Sequence, residues 1–355
     1  MAKAQETGKH RRIWYWVAGI AALCIAGIWG LNALLNLPQG ARLPSVGQAQ
    51  AENGPYLFSV ERDGKWGYMD ETGAIRIAPE YEYAKVFRFG LGVAKRNGYY
   101  GLLGAEGPIT EFEFDQLGEL SNDRVLAAYG AQYGYLNEKG ELAIEPIYDA
   151  ASDFRDGLAA VCVQGQWGYV DVEGNLRIGM QYASATDFGD GLAAVWKEGN
   201  GYLLIDRNGR IKARLSLTPG GAFSCGRMLV ANGEDKLGYI DTKGKTVIEP
   251  IYDGADSFYE DLAAVQSDGA WGYIDREGNW VVEPAFDDAW RFSEGYAPVL
   301  VDGLWGYIDR EGNWAIEPQF EEAYLFTNGL APVVLDGVYR YVRPDGAYVD
   351  PNWPE

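Results

Sequence analysis

The single histidine of the chain limits the chemistry that its side chains can do. Among 355 residues there are 30 Lys and Arg, 51 Asp and Glu, 3 Cys and one His, which is His10. Ser-His-Asp triads, Cys-His pairs and imidazole metal sites all require histidine, so none is expected beyond residue 10. Three cysteines are too few for a disulfide framework, and we expect Cys162 and Cys225 to be free thiols. A net charge of −21 argues against nucleic acid as a partner, because phosphate binding needs a basic face.

Carboxylates carry the remaining candidate chemistry. Acidic side chains recur at one place in a repeated pattern, just after a Glu-Pro step. The candidate binding residues of this kind are Asp149, Asp253, Asp287, Asp288, Glu321 and Glu322. A pair of carboxyl groups about 5–10 Å apart could hydrolyse a glycosidic bond. Recurrence in many units is more typical of a surface than of one site, so the alternatives are an acidic binding surface for a basic partner or cations, and plain solvation.

One short segment opposes this acidic trend. It has four cations within eight residues, namely Arg207, Arg210, Lys212 and Arg214. The segment lies in a stretched repeat unit, and an insertion in a repeat often marks a binding face. The segment is therefore a candidate contact for anionic lipid, teichoic acid or an acidic protein, and the alternative is a solvated edge.

Aspartates recur in an Asp-x-x-Gly pattern. They are Asp70, Asp171, Asp206, Asp241, Asp275 and Asp309. A calcium ladder is one interpretation, although a calcium loop needs several carboxylates within one short segment. Asp first and Gly fourth is ordinary β-turn chemistry, which we expect here.

An aromatic residue recurs just before a glycine in most units. The column contains Trp66, Tyr100, Tyr133, Trp167, Trp271, Trp305 and Tyr339. These rings could stack against sugars. Recurrence in every unit is what packing between repeats requires, so we expect them to belong to the core.

The N-terminal part has the features of a membrane anchor. Residues 13–37 contain no charge, and a helix of this length is about 37 Å long, enough to cross a hydrocarbon core of roughly 30 Å. Lys and Arg precede it, which predicts a cytoplasmic tail at 1–12 and the C-terminal part outside. A cleaved signal peptide with a site near Ala49 to Ala51 is the alternative. Residues 38–55 are typical of a flexible linker.

The rest of the chain repeats itself. The ten residues from Trp271 to Trp280 return as Trp305 to Trp314 with the same sequence. Related copies recur every 33 or 34 residues and give nine units over residues 56–350, followed by a tail at 351–355. Short β-branched and aromatic runs separated by Gly-containing turns predict three antiparallel strands per unit. Proline in the Glu-Pro step is expected to end the third strand.

The pattern beginning Lys65-Trp66-Gly67-Tyr68, with its eight variants, resembles the WG-repeat (KWG) family of bacterial proteins. The resemblance implies a β-repeat array in a protein that is often associated with the cell envelope, and it carries over no catalytic residue. The second and fifth units depart from the pattern, and Arg340 replaces its glycine in the last unit.

The sequence favours an open array over a closed ring. Nine units exceed the usual 4–8 blades of a propeller, and 34 residues are short for four strands. No strand is left over to complete a blade shared by the two ends. We therefore expect an all-β tandem repeat in an open twisted superhelix, with a propeller as the alternative.

These features together predict a non-enzymatic binding or scaffold protein, anchored in the cytoplasmic membrane by one helix. Its repeats would bind protein or a cell-wall polymer outside the membrane, over an extended surface. No cofactor, metal or catalytic residue is predicted. The alternatives are a carboxylate-dependent hydrolase of envelope glycans and a calcium-stiffened spacer.

Overall fold

The computed structural model describes residues 55–353, which form β-strands and turns. Nine sheets follow one another along the chain as the blades of a β-propeller, so the all-β repeat prediction is confirmed. Among residues 55–353, no helix is long and apolar enough to cross a bilayer. The predicted tail at 1–12 and the predicted membrane helix at 13–37 lie outside the described residues, as does the linker except for its last residue.

Blades are numbered in chain order. Blade 1 contains β1 (Phe58–Arg62), β2 (Lys65–Met69) and β3 (Ile75–Tyr81). Blade 2 contains β4 (Tyr83–Ala84), β5 (Gly92–Arg96), β6 (Tyr99–Gly104) and β7 (Gly107–Pro108). Blade 3 contains β8 (Gln116–Ser121), β9 (Arg124–Tyr129), β10 (Gln132–Asn137) and β11 (Leu142–Tyr148). Blade 4 contains β12 (Ala150–Ala151), β13 (Leu158–Val163), β14 (Gln166–Asp171) and β15 (Leu176–Tyr182). Blade 5 contains β16 (Ser184–Ala185), β17 (Leu192–Lys197), β18 (Gly201–Asp206) and β19 (Ile211–Leu215). Blade 6 contains β20 (Thr218–Pro219), β21 (Arg227–Ala231), β22 (Leu237–Asp241) and β23 (Thr246–Tyr252). Blade 7 contains β24 (Gly254–Ala255), β25 (Ala263–Ser267), β26 (Ala270–Ile274) and β27 (Trp280–Phe286). Blade 8 contains β28 (Asp288–Ala289), β29 (Tyr296–Val301), β30 (Leu304–Asp309) and β31 (Trp314–Phe320). Blade 9 contains β32 (Glu322–Ala323), β33 (Ala331–Leu335), β34 (Val338–Val342) and β35 (Tyr348–Val349).

The prediction of three strands per unit is wrong for blades 2–9, which have four. In blades 4–9 the additional strand is only two residues long and comes from the loop that follows the third predicted strand, as at Ala150–Ala151. It pairs antiparallel with the strand that follows it. Two residues are too few to show the alternation by which a strand is recognised in a sequence.

Tight turns join the second and third strands of most blades. In blade 4, Gln164 and Gly165 have φ angles of 51° and 74°, and Asp302 and Gly303 of blade 8 have 51° and 82°. Two successive positive φ angles define a type I′ turn, whose twist matches that of the flanking strands. Asp-Gly and related pairs favour this conformation, so the repeat sequence itself sets the hairpin register.

The glycine of each Trp-Gly-Tyr step makes room for a bulge in the fourth strand. In blade 6, Tyr239 pairs with Ile248 and Leu237 pairs with Tyr252, so three residues of β23 lie opposite one residue of β22. A Cβ on Gly238 would lie 2.5 Å from the carbonyl oxygen of Ile248. Only glycine allows this approach, which explains why Gly and the Glu-Pro step recur together.

The tyrosine of the same step joins each blade to the next one. Tyr169 of blade 4 is fully buried and packs against Phe188 of blade 5 with ring centroids 4.7 Å apart. Its hydroxyl donates a hydrogen bond of 2.7 Å to the carbonyl oxygen of Thr186 in blade 5. The same donor and the same spacing of 17 residues recur in five other blades. The core therefore lies between blades, as expected for a repeat protein.

Blade 9 contacts blade 1, so the expectation of an open superhelix is wrong and the propeller alternative is confirmed. Tyr341 of blade 9 donates a hydrogen bond of 2.8 Å to the carbonyl oxygen of Ser59 in blade 1. The backbone nitrogen of Asn352 donates one of 2.7 Å to the carbonyl oxygen of Gly73. Residues of the predicted tail at 351–355 thus take part in the ring. We call this contact the seam.

Among the described residues, no sheet is shared across the seam. Blade 1 consists of β1–β3 and blade 9 of β32–β35, and only a single bridge, between Ala74 and Asn352, pairs their backbones. Apolar side chains of both blades form one buried cluster, containing Phe58, Val60, Met69, Leu330, Tyr341 and Val349. Within residues 55–353, the contact between the two blades is therefore made mainly by packing of apolar side chains.

Candidate functional site

The predicted acidic residues lie where the fourth strand of one blade leads into the first strand of the next. One Asp149 carboxylate oxygen accepts a hydrogen bond of 2.6 Å from the backbone nitrogen of Gln164. Asp287 accepts one of 2.9 Å from Asp302 in the same way, and the backbone nitrogen of Gly337 donates one of 3.2 Å to Glu321. These acids brace the neighbouring type I′ turns.

The other three predicted acids also have local partners. The ammonium of Lys236 lies 2.5 Å from a carboxylate oxygen of Asp253. Asp288 accepts a hydrogen bond from the backbone nitrogen of Ala289, and Glu322 accepts one of 2.6 Å from the hydroxyl of Tyr324. The six acids are spread over blades 4, 7, 8 and 9. The sequence pattern therefore marks a position that recurs in the structure of each unit. The structure does not bring these acids together as one catalytic pair.

The predicted cations lie together in blade 5, at the outer end of its sheet. Arg207 and Arg210 flank the turn before β19, and Lys212 and Arg214 lie on β19. Arg210, Lys212 and Arg214 are exposed. The Arg214 guanidinium donates hydrogen bonds to the backbone and side-chain oxygens of Asn200, at 3.2 and 3.1 Å. Arg207 is half-buried, and its Nε and Nη2 atoms have no hydrogen-bond partner within residues 55–353.

The Asp-x-x-Gly residues form the predicted turns. In blade 4, Asp171 Oδ1 accepts hydrogen bonds from the backbone nitrogens of Glu173 and Asn175, at 3.2 and 2.8 Å. The same two contacts recur at Asp206, Asp241, Asp275 and Asp309. Within the described part of the chain, no three His, Cys, Asp or Glu side chains are grouped so that they could hold a metal ion.

The aromatic column is half-buried and packs at the edge of the interblade core. Trp167 and Trp271 each contact a core cluster that joins two blades. Trp66 lies against Tyr339 across the seam, with ring centroids 5.8 Å apart. These contacts agree with the predicted packing role, although the tyrosine two residues later is the more deeply buried ring.

A cavity lies where the turns between the first and second strands of consecutive blades meet. We call these turns the inner turns. The inner turns of blades 2–6, around residues 88–89, 119–123, 153–156, 188–190 and 223–225, line a cavity of about 540 Å³. A cavity lined by five consecutive blades must lie on the axis side of those blades. The cavity leaves no pattern in the sequence, because each blade contributes only a few residues to it.

Acidic side chains outnumber cations around this cavity. Its lining contains Glu119, Asp123, Asp153, Asp156 and Asp190, against Arg88 and Arg155. Several of these groups have structural partners. The Arg88 guanidinium lies 2.5 Å from a carboxylate oxygen of Glu119 in the next blade.

Carboxylates of the inner turns also tie consecutive blades together. Asp156 accepts a hydrogen bond of 2.7 Å from the backbone nitrogen of Gly191, and Asp190 accepts one of 2.7 Å from Gly226. Each bond links one blade to the following one. The recurring Phe-x-Asp-Gly sequence, as at Phe154 to Gly157, was the signal that could have revealed this ring of acids.

Asp153 differs from the other cavity acids. Burial raises the pKa of its carboxyl group, and the nearby charge of Asp187 raises it further. Its Oδ1 atom is buried and has no hydrogen-bond partner among residues 55–353. A carboxyl with a raised pKa can carry a proton closer to neutral pH than an ordinary aspartate does.

Comparison with known families gives matches in six segments. The model described as "WG containing repeat" matches residues 66–100, 133–167, 167–200, 238–269, 271–305 and 305–339. These segments include blades with the Trp-Gly-Tyr step or close variants, and β18 and β19 of blade 5 fall outside them. No curated protein matches the chain.

Solved structures match the chain at low sequence identity. The crystal structure of the eukaryotic initiation factor has 12% sequence identity and a TM-score of 0.58, with 83% of this chain and 95% of that chain covered. BamB from Moraxella catarrhalis has 10% identity and a TM-score of 0.40, with 72% and 94% covered. The C-terminal WD40 domain of Sif2 has 11% identity and a TM-score of 0.41, with 70% and 91% covered. At such identity the first of these likenesses concerns the fold alone.

Proposed function

The chain belongs to the WG-containing repeat family, and we propose that it is a non-enzymatic binding scaffold whose propeller holds a basic ligand in the cavity between its inner turns. The ligand would be a cationic segment of a protein or a cell-wall polymer with amino groups. The observation that carries this proposal is the cavity itself, to which five consecutive blades contribute.

The size and charge of the cavity support binding. A volume of about 540 Å³ falls within the range of about 300–1,000 Å³ that is usual for ligand pockets. Five carboxylates against two guanidinium groups give the lining a negative charge, which attracts cations. The inner turns are held by hydrogen bonds between blades, so little ordering is needed when a ligand binds.

The membrane anchor remains part of the proposal. Residues 13–37 would cross the membrane with the N-terminus in the cytoplasm, because Lys and Arg lie on that side of the apolar run. The propeller would then face the outside of the cytoplasmic membrane. Proteolysis of intact spheroplasts tests this placement, since protease should digest the propeller while a tag on the N-terminus survives. Digestion of the tag without digestion of the propeller would contradict it.

Binding at the cavity is tested with labelled hexalysine and the full-length chain in detergent. We expect saturable binding that weakens with salt, because the contacts are between charges. Replacing two cavity acids, Asp123→Asn with Asp153→Asn, should weaken binding several-fold. The matched control, Asp63→Asn with Asp336→Asn, removes two acids from type I′ turns and should change binding little. Equal affinity of the two double variants would overturn the proposal.

A second candidate function is hydrolysis of envelope glycans, and Asp153 is the observation that favours it. A carboxyl group with a raised pKa in a cavity has the property of a general acid. If this function holds, the purified chain should cleave peptidoglycan fragments, and Asp153→Asn should abolish cleavage while leaving hexalysine binding measurable. Intact fragments after prolonged incubation would exclude it.

A further inference from the structure

The outer strand of blade 5 pairs differently from its equivalents. In blade 6, Glu249, Pro250 and Ile251 of β23 bulge opposite the single residue Gly238. In blade 5, Tyr202 pairs with Leu215, Leu203 with Arg214 and Leu204 with Ala213, one residue against one. The outer half of β19 therefore has no bulge.

The cause is the residue that replaces glycine. The turn aspartates Asp206 and Asp241 make equivalent contacts, so Leu203 occupies the position of Gly238. A Cβ at Gly238 would lie 2.5 Å from one backbone atom of the bulge and 2.6 Å from another. A leucine at this position excludes such a bulge, and the fourth strand can only pair regularly.

Regular pairing leaves the outer edge of β19 unprotected. In other blades, a bulge or a proline protects the equivalent edge. β19 is the last strand of its sheet, in the order β16-β17-β18-β19. Bulges and proline on edge strands prevent pairing with another chain, because a bulge twists the edge and proline lacks the N–H donor. β23, β27 and β31 each contain the Glu-Pro step, and β15, which has no proline, keeps the bulge. Residues 211–217 contain no proline.

The charge along this edge is reversed relative to the rest of the propeller. Residues 56–355 hold 25 Lys and Arg against 49 Asp and Glu, a net −24, yet residues 207–233 contain five cations and no acid. Arg214 lies on the strand segment where blades 3, 6, 7 and 8 have glutamate. Arg210, Lys212 and Arg214 are exposed and form no ion pair within the part of the chain that the structure describes.

We propose that β19 binds an extended acidic segment of a partner protein, which adds to blade 5 as a fifth strand. Backbone hydrogen bonds along the free edge would supply affinity, as in other cases of strand addition. Carboxylates of the segment would pair with Arg210, Lys212 and Arg214. The exposed side chain of Ile211, 56% accessible, would contact an apolar residue of the segment. A regular, unprotected edge and a local excess of cations coincide here, and that coincidence selects an acidic strand as the occupant.

This surface is separate from the cavity. The inner turn between β16 and β17 lines the cavity, whereas β19 lies three strands away at the other edge of the same sheet. The proposal therefore goes beyond the proposed function, and either can fail without the other.

The test uses the full-length chain in detergent and a labelled nonapeptide of alternating glutamate and threonine. Fluorescence anisotropy should show saturable binding, and an alternating lysine and threonine peptide should not bind. Lys212→Glu with Arg214→Glu should weaken binding by about tenfold or more, because two attractions become repulsions. The matched control, Lys243→Glu with Lys245→Glu, reverses two exposed cations of blade 6 and should leave affinity within about twofold.

Two further measurements separate strand addition from simple charge attraction. The same acidic peptide with N-methyl groups on alternate residues keeps its charge but cannot pair on that edge, so we expect its binding to be lost. A variant with Leu203→Gly and with Glu-Pro-Ile in place of Arg214 rebuilds the bulge of blade 6 and should also abolish binding. Equal binding of the methylated peptide, equal losses in the two charge-reversal variants, or no binding of the acidic peptide at all would each overturn the proposal.

Discussion

The seam between blades 9 and 1 and the contact between blades 4 and 5 use the same parts, although the chain connects only the second pair. In both, the Trp-Gly-Tyr tyrosine or its equivalent donates to a backbone carbonyl of the following blade, Tyr169 to Thr186 at 2.7 Å and Tyr341 to Ser59 at 2.8 Å. In both, the turn glycine of one blade lies close to the blade before it, Gly209 near Ile178 of β15 and Gly73 near Asp350, the residue after β35.

The two contacts differ in their acceptor and in their backbone pairing. Thr186 follows the short first strand of blade 5, whereas Ser59 lies on β1, the first strand described in blade 1. Tyr68 shows that the two acceptors are alternatives, since its hydroxyl reaches both Lys85 and Val93, and Val93 is the equivalent of Ser59 in blade 2. Among residues 55–353, blades 9 and 1 therefore meet through the same interblade packing as blades 4 and 5, without a strand common to both sheets.

Removing the two tyrosines separately tests most directly whether the seam is as stable as an internal contact. Tyr169→Ala and Tyr341→Ala each delete a buried ring at a matched place, so each should lower the free energy of unfolding by about 3–5 kcal/mol. Equilibrium unfolding in urea measures both. If the seam is equivalent to an internal contact, the two losses agree within about 1 kcal/mol. A much smaller loss for Tyr341→Ala would show that the ring opens at the seam before it unfolds.

Two turn glycines separate backbone strain from close packing at the seam. Gly73 and Gly346 have φ angles of 86° and 83°, but only Gly73 faces the seam, where a Cβ would overlap the carbonyl oxygen of Asp350. Gly346→Ala should cost about 1–2 kcal/mol from backbone strain alone. Gly73→Ala should cost about 1–3 kcal/mol more, because the backbone of blade 9 must move. If urea unfolding shows equal losses of unfolding free energy for the two variants, the backbone of blade 9 must be able to move at this point without an energetic cost.

Removing only the hydroxyl groups gives a smaller effect. Tyr169→Phe and Tyr341→Phe each delete one hydrogen-bond donor and leave the buried ring in place. Each should lower the free energy of unfolding by about 1 kcal/mol. Thermal unfolding of both variants checks this, with Tyr129→Phe as a control because Tyr129 is 53% exposed. A seam variant that behaves like the control would contradict the equivalence of the two contacts.

Asp70 lies in the same turn as Gly73, since its carbonyl oxygen accepts a hydrogen bond of 3.0 Å from the backbone nitrogen of Gly73, and its ionisation makes the stability of this turn depend on pH. Burial acts to raise the pKa of this carboxyl, but hydrogen bonds from Thr72, Ala74 and Arg76 outweigh burial and lower the pKa to about 2. The stabilisation from the ionised form is therefore complete above the unfolded pKa near 3.8 and is lost as pH falls toward 2. Asp70→Asn should cost about 1 kcal/mol at pH 7, since solvent screens part of the effect.

The pH dependence of that cost is the sharper measurement. The difference between the Asp70→Asn variant and the natural chain should shrink as pH is lowered from 5 to about 2. Asp153→Asn should behave in the opposite sense, because burial raises the pKa of Asp153. Its ionised form destabilises the fold, so the variant should gain stability relative to the natural chain as pH rises above the unfolded pKa. A pH-independent difference for either variant would contradict its assignment.

The sequence predicted the repeat and its turns well, because both follow from local spacing. The turn role of Asp171, the packing role of Trp167 and the grouping of the cations around Arg214 all rest on residues close together in the chain. Closure was mispredicted, because it depends on Ser59 and Tyr341, which are 282 residues apart, and no local pattern reports such a contact.

The two candidate surfaces show the same limit. The acids after the Glu-Pro step recur conspicuously, yet Asp149 and Asp287 serve the hairpin turns beside them. The cavity needed five blades to be placed in space before its acids could be recognised as neighbours. On β19 the cations were visible in the sequence, but the free edge followed only once the pairing of Leu203 with Arg214 was known.

The seam also sets the order of events during synthesis. Every other interblade contact joins segments that leave the ribosome within a few seconds of each other, so blades 2–8 can pack as they appear. The apolar face of blade 1, with Phe58, Val60 and Met69, has its partners at Leu330, Tyr341 and Val349. At a synthesis rate of about 5–20 residues per second, that face stays exposed for roughly 15–60 s before blade 9 is made. A nascent chain stalled before blade 9 would therefore keep this apolar surface exposed, and exposed apolar surface promotes aggregation.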